Sequence, residues 1–220
     1  MQKLWDQVDE YFAKALSPDD DALTHALTAS AAGGLPAIAV TPNQGKLLAM
    51  LVRIRGAKRI LEIGTLGGYS TIWMARALPK GGKLITIEIS EKHADVARKN
   101  LERAKVLDRV ELVVAPALDA LADMKKNRVE PFEFVFIDAD KANIDRYFRQ
   151  SLELCAHGAI IVVDNVVREG AVVDAKSKDA NVQGVRRLTE FLTITPRATG
   201  TAIQTVGTKG YDGFIIATVG

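Results

Sequence analysis

At 220 residues and 23.8 kDa, the chain is long enough for one domain with a substantial core and short of two ordinary ones. Apolar residues make up 48% and charged residues 25%, which excludes disorder, and 29 basic against 27 acidic residues leave +2, which excludes the basic stripe of a nucleic-acid binder. The single cysteine, Cys155, excludes an intramolecular disulfide and a cysteine-held zinc and points to a reducing compartment.

Residues 1–12 interleave Asp6, Asp9 and Glu10 with apolar positions and lack the basic start and apolar block of a signal peptide. No apolar run approaches the ~20 residues that span a bilayer. The expectation is a cytoplasmic protein with neither a membrane nor a nucleic acid as partner. Leu4, Val8, Phe12 and Ala15 share one helical face. Ser17-Pro18-Asp19-Asp20 then restarts a helix, with Ser17 as N-cap, proline at the first position and acids in the first turn, and Gly33-Gly34 stops it. Thr41-Pro42-Asn43-Gln44 reads as a capping box opening a third helix, whose buried stripe is Leu47, Leu51 and Ile54 up to Gly56.

From Lys58 onward the rhythm changes. Short β-rich runs at 59–63, 83–89, 109–114, 132–138 and 159–164 alternate with helical stretches, which implies a parallel sheet with crossover helices. Runs 201–206 and 213–219 are joined only by residues 207–212, a link suited to an antiparallel pair at the sheet edge. Without a repeat or a linker, residues 1–56 read as helices covering the sheet and residues 57–220 as the α/β core of the same single domain.

Ligands of open α/β sheets bind beyond the carboxyl ends of the strands. After the first run comes Glu62-Ile63-Gly64-Thr65-Leu66-Gly67-Gly68-Tyr69-Ser70. Its glycines let the backbone turn tightly and approach a ligand at a helix N-terminus, where free N–H groups favour a carboxylate or phosphate. The spacing is not G-x-G-x-x-G, and the alternative is a plain strand-to-helix turn. Glu88, 24 residues after Gly64, stands where nucleoside-binding sheets set an acid against ribose hydroxyls; alone it reads as a solvated strand-end acid. Ile89 follows, placed to pack on an adenine face or in the core.

The fourth run ends Asp138-Ala139-Asp140-Lys141 and the fifth ends Asp164-Asn165. On neighbouring strands about 4.8 Å apart, Asp138, Asp164 and Asn165 would offer three oxygen ligands at one rim, a set for Mg²⁺, Ca²⁺ or Mn²⁺ rather than zinc. The alternative is that both aspartates cap helices or make turns. Lys141 reaches the same rim, and a lysine beside a cation can lose its proton and act as a general base, although the neighbouring acids could equally hold it protonated. His25, His93 and His157 are scattered and read as structural or solvated, with His157-Gly158 the turn before the fifth strand. Cys155, among Leu152 and Leu154, reads as inert core on a helix.

The loop 62–70, Glu88, the Asp138-Ala139-Asp140-Lys141 run and the Asp164-Asn165 pair resemble the cation-dependent O-methyltransferases, the caffeoyl-CoA and catechol O-methyltransferase family. The likeness extends from the Thr41 helix through the final hairpin. It implies a class I S-adenosylmethionine-dependent methyltransferase fold, an α/β Rossmann-like core whose seven-stranded sheet has order 3-2-1-4-5-7-6 with strand 7 antiparallel, preceded by N-terminal helices. It further implies that Val40, Glu62, Gly64, Thr65 and Ser70 surround the methionine end of S-adenosylmethionine, that Glu88 and Ile89 hold the ribose and adenine with Ala117, and that Asp138 and Asp140 also contact the cofactor. Asp138, Asp164 and Asn165 match the metal ligands, and Lys141 matches the base, with Asp138 beside it in the catalytic pair. Ala139-Asp140 departs from the animal catechol enzyme and sides with the plant and bacterial caffeoyl-CoA type, whereas the plant enzymes' N-terminal substrate segment is not recognisable. Members are often homodimers, so a homodimer is expected.

The implied reaction moves a methyl group from S-adenosylmethionine to one hydroxyl of a vicinal dihydroxy aromatic small molecule, with acceptor specificity set by the leading helices and the loop after Asn165, including Glu169. An NAD(P)-dependent oxidoreductase is the first rival; it lacks its glycine fingerprint, and none of Tyr11, Tyr69, Tyr147 and Tyr211 has a lysine four residues later. A base methyltransferase would need adjacent prolines that the chain does not have. A non-catalytic S-adenosylmethionine-binding protein is the remaining rival, opposed by the intact Asp138, Lys141, Asp164 and Asn165.

Overall fold

The structure, a computed structural model, describes residues 1–18 and 20–220. In chain order its elements are α1 (Gln2–Leu16), α2 (Asp21–Ala32), α3 (Pro42–Arg55), β1 (Arg59–Ile63), α4 (Tyr69–Ala77), β2 (Lys83–Glu88), α5 (Glu91–Arg103), β3 (Val110–Val114), α6 (Ala117–Lys126), β4 (Phe132–Ile137), α7 (Ile144–Glu153), β5 (Cys155–Asp164), α8 (Ala180–Ile194), β6 (Ala198–Gly207) and β7 (Gly210–Val219). The sheet order is β3-β2-β1-β4-β5-β7-β6, with β1 to β5 parallel and β7 antiparallel to both neighbours. Fold class and strand order are those expected.

Strand alternation divides the core into two layers. Leu61, Ile63, Ile85, Ile87, Val135 and Ile137 pack on one face with Leu121, Phe148 and Leu188 from α6, α7 and α8. Ile60, Leu84, Phe134 and Phe136 pack on the other with Leu23, Leu48, Val52 and Ile72 from α2, α3 and α4. No helix among the described residues is long and apolar enough to cross a membrane.

Several local expectations need correction. Ser17 closes α1, its N–H bonded to the Ala13 carbonyl at 2.9 Å, and Asp20 is the N-cap of α2, accepting the N–H groups of Ala22 and Leu23 at 3.1 and 3.0 Å. A carboxylate there also meets Arg76 at 2.8 Å, which a serine at position 17 could not do; Asp19, counted in the expected first turn, lies outside the described residues. The stripe that α3 buries is Gly45, Leu48, Ala49 and Val52, while Leu47 and Leu51 are half-buried and Ile54 is exposed. Gly45 sets this rotation: a Cβ there would fall 2.4 Å from Trp73 Cδ1, so the helix presents its small residues to α4.

Helix α1 does not cover the sheet with its apolar face. None of its residues is buried; it is held by polar contacts, with Gln2 Nε2 donating to the Gly207 carbonyl at 2.9 Å and Asp9 accepting from the Thr208 N–H and from Asn43 Nδ2, each at 3.0 Å. The six-residue link in the final hairpin shrinks to Thr208-Lys209, because Gly207 already pairs with Gly210. Cys155 begins β5 opposite Phe132 rather than ending a helix, and burial pushes its thiol up to about 12. His157-Gly158 falls inside β5, where the register against β4 shifts and Arg55 Nε donates to the Gly158 carbonyl at 2.7 Å.

Candidate active site

The carboxyl ends of β1, β2, β4 and β5 meet at one rim. Gly64 leaves β1 at φ +95°, and a Cβ on it would lie 2.1 Å from the Asp138 carbonyl oxygen. The first demand on this glycine is therefore the close approach of two strand ends, which the bonds from Asp138 N–H to Ile63 O and from Gly64 N–H to Ile87 O, both 2.9 Å, stitch together.

Glu88 is buried at the end of β2. Its Oε2 accepts the N–H groups of Thr65 and Leu66 at 3.2 and 2.9 Å, and its Oε1 accepts the Ser90 N–H at 3.0 Å with His93 Nδ1 at 3.4 Å. The carboxylate thus knits the loop after β1 to the start of α5; Oε2 is filled by two N–H groups, so a ligand hydroxyl would bond to Oε1, in place of the long His93 contact. Glu62 is inside. Alternation along β1 sends it to the same face as Ile60, against α4, where it is wholly buried and accepts hydroxyl bonds from Ser70, Thr71 and Thr86 at 2.6, 2.5 and 2.7 Å. Burial raises its pKa to about 7 in spite of those three donors.

A cavity of about 510 Å³ opens above these groups, a volume suited to a nucleoside-sized ligand. Val40, Gly64, Thr65, Ser70, Glu88, Ile89, Ala117, Asp138, Asp140, Lys141 and Asn165 line it; Glu62 does not, and acts on it through Ser70. A second cavity of about 420 Å³ lies on the other side of residues 38–40, which line both, and Asp164 belongs to this one. Asn165 and Arg168 line both.

In the wall of the first cavity Lys141 is buried, its Nζ donating to Asp138 Oδ1 at 2.8 Å and to the Ala139 carbonyl at 2.9 Å. Burial, and next the Asp138 carboxylate, push the Asp164 carboxyl above the usual carboxylate range, against the pull of Lys141, Gln44 and the Asn165 N–H. Gln44 is the expected third member of the capping box. Its N–H does meet Thr41 Oγ1, at 3.2 Å, but its side chain lies near enough to Asp164 to lower that carboxyl's pKa, which sets α3 beside the rim. Asp140 caps the turn that follows it, accepting from the Asn143 N–H at 3.2 Å, and its other oxygen takes the Tyr147 hydroxyl.

Among the described residues, no group of three or more His, Cys, Asp or Glu side chains is arranged to hold a metal; the rim offers two carboxylates and the amide of Asn165. Several residues of the first cavity lay outside the candidate site read from the sequence, among them four polar ones. His93, read as structural or solvated, lies in the first turn of α5 beside Glu88; Tyr147, Arg168 and Asn181 complete the wall.

Rim, buried acid and glycine turn on this sheet define an S-adenosylmethionine-dependent methyltransferase. The chain belongs to the O-methyltransferase family, whose model matches residues 15–215. It is 50% identical to a catechol O-methyltransferase of Mycobacterium tuberculosis over 96% of this chain and 94% of that one. With the catechol O-methyltransferase of Niastella koreensis it shares 46% over 99% and 98%. Among solved structures, an O-methyltransferase from Bacillus cereus in complex with S-adenosylhomocysteine superposes with a TM-score of 0.98 at 54% identity, covering 100% of both chains. The O-methyltransferase TomG from Streptomyces achromogenes, in complex with S-adenosylmethionine, gives 0.96 at 50%, covering 99% and 98%. The protein is an S-adenosylmethionine-dependent O-methyltransferase, and neither the oxidoreductase nor the non-catalytic reading gains support from these relatives.

Replacing Glu88 by alanine removes the clamp on the loop and the acid expected to meet the ribose. S-adenosylmethionine binding is expected to weaken by roughly 1.5 to 3 kcal/mol, the scale of hydrogen bonds to a charged group. Titration calorimetry on the folded variant checks this; unchanged affinity removes Glu88 from the site.

Proposed function

We propose that the chain methylates one hydroxyl of a vicinal dihydroxy aromatic small molecule, with a divalent cation, Mg²⁺ first and Ca²⁺ or Mn²⁺ as alternatives, held by Asp138, Asp164 and Asn165. The observation that carries this reading is the rim itself. Two carboxylates close enough for one to raise the pKa of the other, with an amide beside them on the wall between two cavities, form a hard-oxygen donor set whose mutual repulsion a cation would relieve. The names of the Niastella and Mycobacterium relatives support a catechol as acceptor.

When bound, the cation supplies positive charge that makes the acceptor hydroxyls more acidic. The chain's own part is orientation and proton transfer. The first cavity holds the donor with Glu88 at the ribose and Ser70, steadied by Glu62, toward the methionine end. A neutral Lys141 would keep its two N–H bonds to Asp138 and Ala139 and turn its lone pair to the remaining tetrahedral position, where it takes the acceptor's proton. The phenolate oxygen then forms a bond to the methyl carbon as the carbon–sulfur bond of the sulfonium breaks, leaving a methyl ether and neutral S-adenosylhomocysteine. The reading also includes a cytoplasmic homodimer, supported by the apolar row that Leu4, Val8, Phe12 and Leu16 leave exposed along α1 and by the lone cysteine.

The test is methyl transfer to a vicinal diol and to its matched monophenol, each with EDTA and with Mg²⁺. Turnover is expected for the diol with Mg²⁺, little for the monophenol and none for either with EDTA. Equal rates in all four conditions would defeat the reading.

A further inference from the structure

We infer that Arg168 is a specificity-determining residue that binds a carboxylate carried by the aromatic acceptor. The inference rests on the reading above, in which the second cavity receives that acceptor.

Arg168 stands where the two cavities join, three residues beyond Asn165. Its backbone is held in an unfavourable conformation: Asn165, Arg168 and Glu169 have φ of 55°, 56° and 56°, in the left-handed region that side chains disfavour. Asp212 fixes this turn, its Oδ1 accepting the N–H groups of Val167 and Arg168 at 2.9 and 3.0 Å. Asp212 lines the second cavity and not the first, so the anchor of the turn belongs to the acceptor side.

The guanidinium is poorly satisfied. Its Nε is shielded from solvent and has no hydrogen-bond partner. The approach of Nη1 to Asp212 Oδ2, at 3.9 Å, is too long for a hydrogen bond. Other cations near the two cavities are engaged: Lys141 holds Asp138 and the Ala139 carbonyl, and Lys209 Nζ donates to the Ala37 carbonyl at 2.9 Å. Arg168 therefore lines the cavity junction with a guanidinium that makes no hydrogen bond, a planar fork of donors whose Nε is shielded inside the protein while the side chain as a whole is 32% exposed. A carboxylate fits that fork with two parallel charge-assisted bonds. Two sources could supply one: a substituent on the acceptor ring, or the methionine carboxylate of the donor.

The experiment compares 3,4-dihydroxybenzoate with 3,4-dihydroxybenzamide, the same diol with and without the charge. In the wild-type enzyme with S-adenosylmethionine and Mg²⁺, kcat/KM for the acid is expected to exceed that for the amide by at least about tenfold. Arg168→Gln should bring the ratio to about one, through KM, and Arg168→Lys should give an intermediate ratio. Calorimetric binding of both diols to enzyme saturated with S-adenosylhomocysteine and Mg²⁺ provides a readout independent of turnover. Tighter binding of the acid that depends on Arg168 supports the inference even where neither diol is methylated, a result that would sink the reaction reading alone. No preference in the wild type, a ratio unchanged in Arg168→Gln, or no binding of either diol overturns it. So does weakened S-adenosylmethionine binding in the variant with the ratio intact, which would assign the fork to the donor. Should Arg168→Gln fail to fold, the wild-type ratio and Arg168→Lys decide the matter.

Discussion

Replacing Lys141 by alanine is expected to lower kcat by ~10²–10⁴, the usual contribution of a positioned general base. The geometry allows Nζ few other roles. It is buried, it lines the first cavity, and its hydrogens are directed to Asp138 Oδ1 and the Ala139 carbonyl, so proton transfer to it needs no rearrangement of the rim. Removing it also strands a carboxylate, which destabilises the fold to some degree. Single-turnover rates on folded variant separate that effect from chemistry. A pH–rate profile adds a signature that a structural role would not give: the variant should recover rate at high pH, where the acceptor ionises without help from the protein. A variant with the full rate across neutral pH would show that the reaction needs no base from the protein.

The parts of this site that were legible in the sequence are those fixed by strand ends. Asp138 follows β4, Asp164 ends β5 and Asn165 comes next, and parallel neighbours in register, Ile137 opposite Val163, carry the residues after them to one rim. Glu88 is readable for the same reason. The illegible parts come from helices whose rotation depends on packing. Gln44 comes beside Asp164 on a helix whose rotation is set where Gly45 seats against Trp73, and no pattern within residues 41–56 announces that. His93 and Tyr147 owe their places to the docking of α5 and α7, and Arg168 to a turn held by Asp212 from β7, 44 residues away. The apolar period of α1 is plain in the sequence, but period alone cannot say what an amphipathic face meets, and here Leu4, Val8, Phe12 and Leu16 stay largely exposed. Cys155 misled because a short apolar run of Leu152, Leu154 and Cys155 fits a helix end as well as a strand start.

Glu62 illustrates how a residue placed beside the cofactor by resemblance can have its largest effect on stability. Its folded pKa is about 7 against an ordinary 4.5, raised first by burial. Below the lower value the carboxyl is protonated in both the folded and the unfolded chain, and its hydrogen-bonded seat is fully favourable. Between the two values the unfolded chain releases the proton and the folded one keeps it, so the native state binds more protons and stability falls as pH rises. Above about 7 both forms are ionised and the whole cost remains, on the order of 3 kcal/mol for a shift of this size. Glu62→Gln keeps the shape and cannot ionise. Its amide oxygen can accept from the hydroxyls that now face Glu62, and those of Ser70, Thr71 and Thr86 can rotate to accept from its NH₂ group. Urea unfolding of both proteins between pH 4.5 and 8 is the measurement, because other titrating groups contribute equally and cancel in the difference. The variant should gain on the wild type steadily across that window, by up to about 3 kcal/mol at its upper end. Parallel stability profiles would mean that the three hydroxyl donors stabilise the carboxylate as well as water does, and that Glu62 is ionised in the fold throughout.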